Sequence, residues 1–322
     1  MQDIDPIEQA EAAPFVVSLI VPVFNEAEAV RRFVDTVTQV LAGVATFEVV
    51  FVNDGSRDAT ERKIEALMAE GKPLRLINLS RNFGKEAALA AGLAHARGDV
   101  IIPMDVDLQD PPELIPEMLE RWRAGAKIVN ARRIDRSQDT WAKRLSAAAY
   151  YRIFNWLAEN PIPSNVGDFR LLDREVVQAV LQIGDRSRFN KGIFSWVGFE
   201  TVEVTYERPA RADGASSWSW WRLWTLALDG IFASSTAPLR IWSYVGGTMA
   251  VFAFAYSAYV FLSVLITGRD VPGYASTLIV ILIFGGLNMV ALGIIGEYIG
   301  RIYYEVRKRP LYIVRSVKES ED

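Results

Sequence analysis

Two uncharged apolar runs near the end of the chain, residues 241–267 and 275–296, constrain its fold more than any other feature. At 1.5 Å per residue, helices over these runs would be about 33–40 Å long, enough to cross a hydrocarbon layer of about 30 Å. Gly268-Arg269-Asp270-Val271-Pro272-Gly273 lies between them and reads as the turn of a hairpin. Arg240 precedes the first run, and Arg301, Arg307, Lys308, Arg309 and Arg315 follow the second, against Arg269 alone in the turn. The positive-inside rule therefore predicts that both ends, and the domain before them, face the cytoplasm. Residues 1–13 are acidic and lack an apolar core, so no signal peptide is visible. Gly293, Gly296 and Gly300 share one helix face, which suits close packing within the hairpin or between copies of the chain.

Ahead of the hairpin the pattern changes. Residues 15–23, 47–52, 74–79 and 100–105 are short apolar runs that read as buried strands. Residues 27–41, 59–70 and 86–96 between them have helical periodicity, and the alternation predicts a parallel, Rossmann-like sheet. Such sheets bind ligands beyond the carboxyl ends of their strands. Three of those ends are polar: Pro22-Val23-Phe24-Asn25-Glu26, Asn53-Asp54-Gly55-Ser56, and Asp105-Val106-Asp107-Leu108-Gln109-Asp110-Pro111-Pro112. Residues i and i+2 of an extended segment project to one side, so Asp105 and Asp107 stand together. A divalent cation such as Mg²⁺ or Mn²⁺ satisfies such a pair, with water and substrate phosphates completing its shell. The pattern alone is weak, since Asp3-Ile4-Asp5 repeats it in the acidic leader; position at a strand end separates the two. Turn chemistry accounts equally well for Asn53 to Gly55. No Gly-x-Gly-x-x-Gly follows the first strand, which disfavours a dinucleotide site and leaves a metal to carry a diphosphate.

Residues 113–124 read as a helix and 127–130 as a strand. Five cations then fall between positions 132 and 144: Arg132, Arg133, Arg136, Lys143 and Arg144. The net charge is −4, so bulk charge does not suggest a nucleic-acid partner and this local cluster reads as an anion site, for phosphate. Asp168 and Arg170 straddle Phe169; Asp168 suits a helix cap, an arginine partner or a general base. Residues 199–206 alternate like an edge strand. Trp218, Trp220, Trp221 and Trp224 crowd the start of a helix, which predicts a segment lying among lipid headgroups. The chain has no Cys and one His, His95, excluding disulfides, thiolate zinc, cysteine nucleophiles and histidine triads.

Together the segments Val21 to Glu26, Val52 to Ser56, Asp105 to Pro112 and Gly167 to Arg170 resemble the family-2 glycosyltransferases. The Trp-rich segment and hairpin narrow the resemblance to polyisoprenyl-phosphate glycosyltransferases of the bactoprenol glucosyltransferase type, over nearly the whole chain. The resemblance implies a GT-A fold, an inverting single transfer from a nucleotide sugar, usually UDP-glucose, to undecaprenyl phosphate, and a role in O-antigen or other envelope glycan modification. It implies that Pro22, Asn25, Glu26, Asp54 and Asp105 surround the nucleotide sugar, and that Asp105, Asp107 and Gln109 hold the metal. Arg132, Arg133, Lys143 and Arg144 match the acceptor-phosphate cluster, and Asp168, Asp107 and Arg170 stand as catalytic candidates. UDP-GlcNAc or GDP-mannose as donor, and a non-catalytic scaffold or flipping partner, are the alternatives. The expected organisation is a leader over 1–13, a GT-A catalytic domain over 14–212 and juxtamembrane interfacial helices over 213–239. A transmembrane hairpin over 240–300 and a basic cytoplasmic tail over 301–322 complete it, in a multi-pass protein of the bacterial inner membrane that associates with itself through the hairpin.

Overall fold

The computed structural model describes residues 14–133, 166–184, 190–206, 237–267 and 273–320. The leader, Arg136, Lys143, Arg144, the four tryptophans from Trp218 to Trp224 and the hairpin turn 268–272 lie outside the described residues.

The predicted alternation is present. Strands β1 (Val16–Val23), β2 (Thr46–Asn53), β3 (Leu74–Leu79) and β4 (Val100–Pro103) pair in parallel in the order β4-β1-β2-β3. Helices α1 (Ala29–Leu41), α2 (Thr60–Ala69) and α3 (Lys85–His95) connect them. Residues at alternate positions of β1 serve opposite faces, as the pleat requires. Val17, Leu19, Val21 and Val23 pack with Val30, Phe33 and Val37 of α1, Ile64 of α2 and Met118 of α4 (Ile115–Arg123). Ile20 packs on the other face with Ala88, Leu89 and Ala91 of α3 and with α5 (Arg174–Gln182). Each large side chain so buried contributes roughly 1.5–3 kcal/mol. Helix α3 lies close on the sheet because its facing residues are small: a Cβ on Gly92 would come within 2.2 Å of Ile20 Cγ2. That approach carries the first residue of α3, Lys85, toward the end of β4.

The sheet continues past β4 in a way the periodicity did not predict. β5 (Ile128–Arg133) and β6 (Val166–Asp173) enter the order as β7-β5-β6-β4, with β6 antiparallel to both its neighbours. β7 (Thr201–Tyr206) is the edge strand expected of 199–206. At the other edge, β8 (Val314–Glu319) lies antiparallel against β3. Residues 314–319 of the expected basic tail are therefore part of the sheet, and two of the tail's cations have acidic partners there: Arg315 pairs with Glu61 at 2.7 Å, and Lys318 pairs with Glu65 and Glu61. An exposed β3 edge with unpaired N–H and C=O groups is a ready template for such a strand.

The apolar runs form two helices, α7 (Ala237–Thr267) and α8 (Tyr274–Val306), following α6 (Asn190–Trp196) in chain order. Both are longer than the boundaries 240 and 300, since helical backbone continues into their polar flanks. Ile241–Ile266 and Ile279–Gly300 are long and apolar enough to cross a membrane. Their side chains are exposed, Phe254 at 78% and Ile266 at 82%, whereas a core helix of a soluble protein would bury them. A Cβ at Gly293, Gly296 or Gly300 would meet nothing within 4 Å, so these glycines do not mediate close packing inside the hairpin.

Candidate active site

The carboxyl ends of β1, β2 and β4 form one edge of the sheet, and their polar turns interlock. The carbonyl oxygen of the Asn53 side chain accepts from the Ser56 N–H at 2.9 Å. Ser56 Oγ in turn accepts from the Asn25 N–H at 3.0 Å, and Asn25 Oδ1 accepts from the Arg57 N–H at 2.8 Å. Glu26 N–H donates to Thr60 Oγ1 at 2.9 Å. Asn25 sits at φ +57°, a left-handed conformation that Asn tolerates through local hydrogen bonding. Gly55, at φ +72°, cannot be replaced freely, because a Cβ there would lie 2.6 Å from the Arg81 carbonyl carbon.

Asp54 is buried, and its two carboxylate oxygens accept the N–H groups of Phe83 and Gly84 at 2.7 and 2.9 Å. Burial raises its pKa, against the pull of those two N–H groups. Asp54 thus holds the loop before α3 to the end of β2. Pro22 is a β1 residue paired with Val52, one position before the turn.

β4 ends at Pro103, two residues short of the predicted strand, and Asp105 and Asp107 lie beyond it with a turn at Val106 and Asp107 rather than on the extended segment expected. The Asp107 carboxylate accepts from the Gln109 N–H at 3.1 Å and from Gln109 Nε2 at 2.5 Å. Leu108 between them sits at φ +57°, a strained value for a bulky residue; Asn25, Leu108 and Lys308 are the positive-φ residues other than Gly among the described ones. Tyr206 at the end of β7 donates its hydroxyl to Asp110 Oδ1 at 2.6 Å, anchoring the same turn. The pKa of Glu26 is raised, first by burial and then by the charges of Asp107, Asp58 and Asp105, so these carboxylates form one negative field.

Lys85 enters that field. Its Nζ lies 2.7 Å from Asp105 Oδ1 and 2.8 Å from Asp168 Oδ2. Burial works to lower its pKa, but the Asp168 and Asp105 carboxylates outweigh it and hold the ammonium above the ordinary lysine range. The sequence reading did not single out Lys85; its signal is a cation in the first turn of a helix that follows a strand-end loop. β4 and β6 are antiparallel neighbours, Val100 opposing Asp173 and Ile101 opposing Leu172, so the chain leaving β4 runs alongside the start of β6, where Asp168 lies.

Asp168 lies within strand β6, so it is no helix cap. Asp173 fills that role for α5, accepting the Glu175 N–H at 2.9 Å. Among the described residues, the cation that Asp168 meets is Lys85. Arg170 is buried, donates to the Gly167 carbonyl at 2.7 Å and lies 4.5 Å from the Phe194 ring centre. Burial lowers its pKa to about 10 against the charges of Asp168 and Glu86. It is a positive charge beneath Asp168, enclosed by protein. Arg132 is exposed on β5 and pairs with Glu203 of β7 at 2.9 Å, and Arg133 follows it in the strand. Lys143 and Arg144 are outside the described residues, so the four-cation cluster is seen only in its first half.

The donor set at Asp105 and Asp107 is hard oxygen, suited to Mg²⁺ or Mn²⁺. Among the described residues no three His, Cys, Asp or Glu side chains gather as a metal-binding group. The arrangement fits a cation held by one or two carboxylates and completed by substrate phosphates, and does not fit an all-protein cage.

Residues 18–181 match the family model for glycosyl transferase family 2, and residues 237–302 match the GtrB C-terminal hairpin. A prophage bactoprenol glucosyl transferase homologue of Escherichia coli is 49% identical over 305 residues, 94% of this chain and 99% of its own. The bactoprenol glucosyl transferase of Shigella phage SfV is 48% identical, with the same coverage of 94% and 99%. An uncharacterised glycosyltransferase of Synechocystis is 44% identical over 92% of this chain and 94% of its own. A solved mannosyltransferase from Pyrobaculum calidifontis, in complex with GDP-Man and Mn²⁺, is 17% identical with a TM-score of 0.46, over 92% of this chain and 87% of its own.

Proposed function

Because the chain belongs to glycosyl transferase family 2, we propose that it moves one glucose from UDP-glucose to undecaprenyl phosphate at the inner face of a bacterial inner membrane. The single observation that carries this reading is the Asp105–Lys85–Asp168 group at the carboxyl edge of a sheet whose own last strand follows an exposed apolar hairpin. Relatives named as bactoprenol glucosyl transferases, aligned over almost their whole length, support the acceptor class and the sugar.

Asp105 and Asp107, with Gln109 beside them, would hold Mg²⁺ or Mn²⁺, which supplies charge neutralisation for a departing diphosphate. The turns of Asn25, Glu26 and Asp54 form the cradle for the nucleotide and ribose. An acceptor phosphate oxygen attacks the anomeric carbon, the bond from that carbon to UDP breaks, and the configuration inverts. A phosphate is already anionic at neutral pH, so it needs alignment and compensating charge more than deprotonation. Arg132 and Arg133, joined by Lys143 and Arg144, supply that charge. Lys85 pairs with Asp168 and aims it at the reaction edge, where it orients the acceptor or takes a proton from its monoanion.

Membrane topology follows the same logic. β7 and β8 belong to one sheet, and among the described residues two candidate spans lie between them, an even number that would return the chain to the side it left. With Arg307, Lys308 and Arg309 after the second span, that side is read as cytoplasmic. Gly293, Gly296 and Gly300, open in the single chain, suit contact between copies of the hairpin.

The test is incubation of membranes containing the enzyme with UDP-[¹⁴C]glucose and undecaprenyl phosphate, then organic extraction. Label moving into the lipid phase, absent with EDTA and in Asp107→Asn, is the expected result. Label that stays aqueous with UDP-GlcNAc and GDP-mannose tried as well would defeat the reading.

A further inference from the structure

The last strand does more than close the sheet. Asn78, fully buried at the end of β3, uses every polar group on its side chain. Its Nδ2 donates to Ser316 Oγ of β8 at 3.1 Å and to Glu61 Oε1 of α2 at 3.0 Å. Its Oδ1 accepts from Asn53 Nδ2 at 2.8 Å. Asn53 passes the link on through Ser56 to Asn25, so a continuous chain of hydrogen bonds runs from β8 under β3 and β2 to the turn after β1. The same strand steadies the other acceptor of Asn78, since Arg315 and Lys318 both pair with Glu61.

The polarity of this chain is fixed by Glu61 of α2, whose carboxylate can only accept, and the Ser316 hydroxyl of β8 takes the second amide hydrogen. A carboxylate at Glu61 and a hydroxyl at Ser316 together keep the Asn78 amino group outward, which leaves its carbonyl for Asn53. Without the Ser316 acceptor one amide hydrogen of a buried group is left unpaired, and the orientation of Asn78 loosens along with that of Asn53. β8 begins at Val314, eight residues beyond the end of α8 at Val306. The element that sets the donor turns is thus tethered directly to the second apolar helix.

We propose that β8 is a positioning element of the nucleotide-sugar site, acting through Ser316, Asn78 and Asn53 on the turns at Asn25 and Ser56. The inference rests on the reading above that these turns hold the nucleotide sugar. It assigns Ser316 a role in donor affinity although Ser316 lies on the far edge of the sheet and touches no substrate.

The test uses the full-length enzyme in detergent micelles, with UDP binding by calorimetry alongside steady-state kinetics. Ser316→Ala is expected to weaken UDP binding and raise KM for UDP-glucose about five-fold, the effect of one lost buried hydrogen bond. The value of kcat and the acceptor KM should hold, and Ser316→Thr, which keeps the hydroxyl, should restore donor affinity. Val317→Ala on the same strand, with its side chain on the opposite face, serves as the control and should bind UDP as the parent does. Ser316→Ala with unchanged donor KM, or with kcat and both KM values shifted together, overturns the proposal. A parent enzyme that fails to bind UDP at all sinks the nucleotide-sugar reading itself, a result distinct from equal binding by parent and variant.

Discussion

The two sides of the sheet solve the same problem by different means. In β1, β2 and β4 each candidate group sits at the end of its own strand, so Asn25, Glu26, Asp54, Asp105 and Asp107 converge because parallel strands end on one edge. β6 and β8 run the other way, and contribute from within their length: Asp168 meets Asp105 through Lys85, and Ser316 meets Asn78. Parallel strands bring together motifs that are visible as turns. Antiparallel strands bring together residues that look like ordinary strand positions, and their partners are fixed by register.

The largest expected effect falls on the parallel side. Asp105→Asn should lower glucosyl transfer by about 10³-fold, the loss typical of a group that stabilises transition-state charge, with the sheet intact by circular dichroism. Lys85→Met probes the join between the two sides and should lower kcat/KM by about 10²-fold. Combined with Asp168→Asn it should cost less than the product of the single losses, because each removes the other's partner; multiplicative losses in kinetics would show that the two sides act independently.

Gly55→Ala tests the interlocked turns. A Cβ 2.6 Å from the Arg81 carbonyl carbon, at φ +72°, should destabilise the protein by about 2 kcal/mol in urea unfolding. The smallest effect belongs to Asp173, where β6 becomes α5. Burial acts to raise its pKa, but hydrogen bonds from Trp122 Nε1–H and the Glu175 N–H, with Lys127 nearby, outweigh it and hold the carboxyl below its ordinary value. Its contribution is therefore present above about pH 4 and fades as pH falls through the lowered folded value. Asp173→Ala should cost about 1 kcal/mol at pH 7, and unfolding curves recorded at falling pH should show that deficit shrink.

Much of this was legible in the residues. The apolar runs announced β1 to β4, and the polar turns after them named most of the candidate site. The hairpin was plain from two stretches that only a bilayer or a core could cover. Three residues show where legibility stopped. Asp168 read equally well as cap, partner or base, since its neighbours in sequence say nothing of Lys85, which lies 83 positions earlier. Lys85 itself looked like a helix-start residue. The basic tail read only as a cytoplasmic extension, because Arg315 and Lys318 find Glu61 and Glu65 only after the chain has passed through two long helices and turned back to β3.

Periodicity, turn residues and the carboxylate pair thus determined by themselves the order of strands and helices, the edge where chemistry collects and the apolar hairpin, because each depends on interactions within a few residues. Tertiary structure alone decided that β6 and β8 run antiparallel, that Lys85 bridges Asp105 and Asp168, and that Ser316 is linked through Asn78 and Asn53 to the turns at Ser56 and Asn25. Those are pairings between distant segments, selected by sheet register and by the need of every buried amide and charge for a partner, and no local pattern records them.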